Sequence, residues 1–177
     1  MIAKPSTPPK LERRDATDPS RTTELLVSII ERDGGVIVEN IISQDLATQI
    51  KSDLKPYFDT DKVDPSGFFP HTTQRATGLL AKSDACVELA CNPTFINVAN
   101  SMVSSTYTYW TGQTQETVTG KPIISSTVGF RVNPGGRQQA LHRDDGSVNH
   151  QQVLYKCLQA NLLVFKATII HAIAICL

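Results

Sequence analysis

The apolar residues fall at helical spacing in the first half of the chain and thin into β-branched and aromatic runs in the second. Leu25, Leu26, Ile29 and Ile30 recur as one helix face, which predicts a helix over Thr22–Asp33, stopped by Gly34-Gly35. Val36-Ile37-Val38 predicts a short buried strand. Leu46, Ile50 and Leu54 then form the stripe of a second helix, capped by Ser43 and ended by Pro56. Tyr57–Thr73 lacks periodicity and carries Pro65, Gly67 and Pro70, so a long polar loop is expected. Arg75–Leu80 suits a strand. Ser83–Ala90 and Pro93–Val103 suit two helices, capped by Ser83 and by Asn92 before a first-turn proline.

From Thr106 the pattern changes. Thr106–Trp110 and Pro122–Val132 predict strands, with Tyr107, Tyr109 and Trp110 taken as sheet packing. Asn133-Pro134-Gly135-Gly136 predicts a turn, and Gln138–Asp144 a returning strand. Helices first and strands after give an α+β class. Met1–Arg21, rich in Pro, Ser, Thr and charge, is expected to be a flexible arm.

Composition narrows the function classes. The chain has 177 residues, enough for one domain with a sizeable core, and 17 basic residues balance 17 acidic ones. With no basic excess, nucleic acid and anionic membrane are not expected as partners. The four cysteines, at 86, 91, 157 and 176, form no C-x-x-C pair; reduced, mostly buried thiols in a cytoplasmic protein are expected. Ala160–Leu177 is apolar, but Asn161, Lys166 and His171 interrupt it, so no membrane span is expected.

The candidate chemistry lies in His142-Arg143-Asp144. On a strand, residues two apart share a face, and a neutral imidazole beside an ionised carboxylate suits a 2-His-1-carboxylate site for Fe(II). The bland alternative is an exposed polar turn. Arg143 would lie on the opposite face. His71, in the polar loop, reads as an ordinary loop residue.

The block from Ser126 to Asp145, STVGFRVNPGGRQQALHRDD, resembles the phytanoyl-CoA dioxygenase (PhyH) family, with Gly34–Val38, Arg75–Leu80 and Tyr107–Trp110 agreeing upstream. The resemblance covers Thr22–Asp145 and is closest to fungal members that tailor secondary metabolites. It implies N-terminal helices packed on a double-stranded β-helix, or cupin-like jelly roll, here partial. Residues 22–152 would be the PhyH-like domain and 153–177 an atypical apolar tail. It also implies Fe(II) held by His142 and Asp144, 2-oxoglutarate contacted by Gln139, O2 as oxidant, and Thr77 and Leu79 at the substrate. The expected activity is oxidation of an apolar natural product or acyl chain, and the expected partners are that small molecule and, in a homodimer, a second copy.

The family also uses a distal histidine and then an arginine that pairs with 2-oxoglutarate. Only His150 and His171 follow Asp144, and no arginine follows Arg143. The alternative expectation is therefore a truncated, catalytically inactive PhyH-like chain.

Overall fold

The computed structural model describes residues 11–136 and the backbone of 157–163 and 168–176. The chain divides into two compact units, Met1–Ser43 and Gln44–Leu177.

The first unit is a parallel strand pair joined by a helix. Strand β1, Glu12–Asp15, pairs with β2, Val36–Glu39, in the register Glu12↔Val36 to Asp15↔Glu39. Helix α1, Thr23–Asp33, makes the crossover. The Thr22 hydroxyl caps it by accepting from Leu25 N–H, and Leu26 and Ile29 are its buried residues. At the other end Gly34 adopts φ +78°, where a side chain would be strained, and its N–H donates to the Ile30 carbonyl. Part of the expected flexible arm is thus a strand. No hydrophobic alternation marks Glu12–Asp15; it is tied in by charge, with Arg13 donating to Glu39 at 2.7 Å and Arg32 of α1 to Glu12 at 2.5 Å.

In the second unit α2 runs Gln44–Thr60 and buries Ala47, Ile50, Leu54 and Phe58. Pro56 lies inside this helix and does not end it. Proline removes one N–H and crowds the preceding turn, but Phe58 is 3% exposed and holds the last turn to the core. The Thr60 hydroxyl also donates to the Pro56 carbonyl at 2.9 Å. A sheet follows, with strands ordered β3-β6-β8-β7, all neighbours antiparallel. These are β3, Thr73–Thr77; β6, Ile123–Val132; β7, Cys157–Leu163; and β8, Thr168–Cys176. The expected strand at Arg75–Leu80 is therefore shorter and earlier, and Leu79–Ala81 is a 3-10 turn.

Gly129 explains how α2 meets this sheet. A Cβ there would lie 3.1 Å from Phe58 Cζ and 3.6 Å from Leu54 Cδ1, so the bare backbone admits the helix. By strand alternation Thr127, Gly129 and Arg131 face α2, and Val128, Phe130 and Val132 face away. Helices α3, Asp84–Ala90, and α4, Pro93–Val103, carry the expected caps: Ser83 accepts from Cys86 N–H, and Asn92 from Thr94 N–H.

Strands β4, Ser105–Thr111, and β5, Thr114–Gly120, form a separate antiparallel pair. Gly112 takes φ +63° in the two-residue turn, the sign a II′ hairpin requires there. Strand β5 was not expected, because Thr-Gln-Glu-Thr-Val-Thr-Gly shows no apolar alternation. Tyr107, Tyr109 and Trp110 are exposed, Trp110 at 67%, so they do not pack into a sheet core as expected. Among the described residues no helix is long and apolar enough to cross a membrane.

Candidate metal centre

The approach to the candidate centre is built by β6 and the turn that follows it. Asn133 donates its backbone N–H to the Thr72 carbonyl at 2.9 Å. Its side-chain amide donates to the same carbonyl at 3.0 Å and to Gln74 Oε1 at 3.1 Å. Gly135 adopts φ +88°, and Gly136 N–H closes the turn onto the Asn133 carbonyl. A Cβ on Gly136 would come within 3.0 Å of Val132 Cγ1, so both glycines have a steric reason to be there. The chain is thereby clamped to the start of β3 where it enters the segment carrying Gln139, His142 and Asp144. Those three residues, and His150, lie outside the described residues. His171 occupies the β8 position in register with Val128 of β6 and Asn161 of β7. Among the described residues no three His, Cys, Asp or Glu side chains converge to hold a metal ion.

The sheet face turned away from α2 carries an aromatic cluster. There Phe130 meets Phe69 with ring centroids 5.6 Å apart, and the Arg75 guanidinium lies 4.8 Å above the Phe69 ring. Phe68 adds an edge-to-face contact at 4.9 Å. Thr77 is exposed and pairs with Val128, which by alternation places it on this face. Leu79 is 3% exposed; its N–H donates to the buried Thr127 hydroxyl at 3.0 Å. The structure therefore does not bring Thr77 and Leu79 to a common surface.

The loop leading to β3, shorter than expected at residues 61–72, is tied by two carboxylates. Asp61 accepts from the Arg75 N–H at 2.8 Å and from its Nε at 3.3 Å. Asp64 accepts from Phe69 N–H and from the Ser66 N–H and hydroxyl, and these bonds, that from Phe69 foremost, hold its carboxyl below the usual range. The Phe69 position is thus set by a buttress that sequence reading missed. Its signal was Asp64-Pro65-Ser66-Gly67, an Asx-turn sequence. His71, in the same loop, is exposed.

Comparison with known proteins places residues 30–172 in phytanoyl-CoA dioxygenase (PhyH). That range extends beyond Asp145 into the apolar tail. Among curated proteins, the dioxygenase himG of Aspergillus japonicus is 35% identical over 120 residues, covering 67% of this chain and 37% of that protein. The dioxygenase peniF of Penicillium patulum is 31% identical over 139 residues, covering 76% of this chain and 44% of that protein. The dioxygenase swnH2 of Arthroderma benhamiae is 32% identical over 126 residues, covering 69% and 40% respectively. The chain matches less than half the length of each of these relatives. With its helices, its antiparallel sheet and a family match over most of its length, this chain belongs to the phytanoyl-CoA dioxygenase family.

Proposed function

We propose that the chain belongs to an Fe(II)- and 2-oxoglutarate-dependent dioxygenase that oxidises an apolar small molecule, a natural product or acyl chain of secondary metabolism. The observation that carries this is the family match over residues 30–172, which encloses Gln139, His142 and Asp144 directly after the clamped turn. In this reading the His142 imidazole and the Asp144 carboxylate hold the ferrous ion, a donor pair suited to that metal. Gln139 contacts 2-oxoglutarate. Bound iron, with 2-oxoglutarate and O2, supplies the oxidising power for C–H hydroxylation.

The protein's own part is to bind, orient and exclude water. Phe69 and Phe130 offer an apolar surface on the face away from α2, and Thr77 borders the substrate there. Leu79 holds the end of that segment from the core side. Adding Fe(II) and 2-oxoglutarate without oxygen should give a weak visible charge-transfer band, lost in His142→Ala. A wild-type chain that shows no band sinks the metal assignment.

Succinate formation from 2-oxoglutarate, with Fe(II) and ascorbate, tests the proposed activity directly.

A further inference from the structure

Cys157 is the first residue of β7 and Cys176 the last of β8, and the two are register partners across this antiparallel pair. Directly opposed residues in such a pair have Cα atoms about 4.5–5.5 Å apart. A disulfide accepts Cα separations of about 4.4–6.8 Å. We infer that Cys157 and Cys176 form a cross-strand disulfide on exposure to a peroxide, because the fold puts them at facing positions on β7 and β8.

The pairing depends on the fold, because 18 residues, 158–175, separate the two along the chain. They meet at the end of the hairpin remote from its connection. Cys176 is also in register with Ile123 of β6, so the link would fasten the outermost strand β7 at a point where three strands lie side by side.

The reaction balances. One thiolate attacks the peroxide; the O–O bond breaks, giving a sulfenic acid and water. The second thiolate then attacks that sulfur, forms the S–S bond and expels the hydroxyl as a second water. Two thiols are oxidised and one peroxide is reduced. The other cysteines act as internal controls. Cys86 is buried in α3, and that burial pushes its thiol up, which disfavours the reactive thiolate. Cys91, the exposed C-cap of α3, is the competitor.

The test uses the full chain, treated with dilute hydrogen peroxide, blocked with an alkylating reagent and digested with trypsin without reductant. Cleavage at Lys156 and Lys166 puts the two cysteines on separate peptides, 157–166 and 167–177, and cleavage at Lys82 and Arg131 puts Cys86 and Cys91 together on a third, because the Lys121–Pro122 bond resists trypsin. The expected result is that 157–166 and 167–177 are recovered joined from monomeric protein, and that reductant separates them. Cys91→Ser should leave the yield unchanged, and urea during oxidation should lower it several-fold. Separate alkylation of Cys157 and Cys176, linkage through Cys91, linkage only in a dimer, or an equal yield in urea would each overturn the inference.

Discussion

Helix α2 and the β4–β5 hairpin solve the same problem in opposite ways. Along α2, Ala47, Ile50, Leu54 and Phe58 make one buried stripe, and Ile50 and Leu54 retain no exposed surface. In the hairpin every residue of β4 is exposed, and so is all of β5 except Gly120. The hairpin nonetheless contains two tyrosines and the chain's one tryptophan. What holds it is local: seven cross-strand pairs, the Gly112 turn, and hydroxyl pairs Thr106–Thr119 at 2.9 Å and Thr108–Thr117 at 3.1 Å. What holds α2 is tertiary packing against β6 through Gly129. Large apolar side chains therefore do not mark the core of this protein; spacing that lets them converge does.

The strongest way to break the comparison is Leu54→Ala. It removes a fully buried side chain from beside Gly129 and leaves a cavity, so we expect a loss of about 2–5 kcal/mol in urea unfolding. Phe58, on the other side of Gly129, should keep the helix seated, and the far-ultraviolet spectrum of the folded variant should match the wild type. A loss below about 0.5 kcal/mol, the usual range for surface changes, would mean that the α2 stripe is not the core.

The same contrast explains what could be read from the sequence. All four helices were legible because their signals are local: an apolar stripe in each of α1 and α2, and caps at Ser83 and Asn92 that act within three residues. Pro56 misled because its effect depends on burial of Phe58, which no local pattern reveals. Strand β5 was invisible because a strand exposed on both faces has no alternation to show. Strand β1 was hidden because its partner, β2, lies 24 positions further along the register. His142 and Asp144, two apart, rest on chemistry alone and lie outside the described residues, whereas the turn before them, Asn133 to Gly136, was legible from its residues. The role of Leu54 and Phe58 opposite Gly129 came from the fold alone.

A smaller effect sharpens the hairpin side. Trp110→Ala removes the largest side chain in β4, yet at 67% exposure it gives up little burial, so stability should change by about 0.5 kcal/mol or less. Its register partner is Gln115, which offers no aromatic contact to lose. The informative quantity is the ratio of this loss to that of Leu54→Ala, measured in the same buffer. Equal losses would show that the exposed aromatic surface supports the fold as strongly as the α2 stripe does.

The smallest expected effect is electrostatic and lies at the end of α2. Lys55 donates to the Asp59 carboxylate, and so does Arg131 of β6 at 2.7 Å; the two bonds, that from Lys55 foremost, hold the Asp59 carboxyl below its ordinary value. A depressed carboxyl stabilises the folded chain fully above its unfolded pKa, and that contribution is lost as pH falls through the folded value. The urea midpoint of the wild type should therefore fall more between about pH 6 and about pH 2 than that of Asp59→Asn, which cannot ionise. At low pH the two should converge, since protonated Asp59 has lost both ionic bonds, and the gap between them at neutral pH should be small because the pair is solvent-screened. Parallel curves would mean that the Arg131 bridge adds nothing to the packing at Gly129, and that α2 is held to β6 by apolar contact alone.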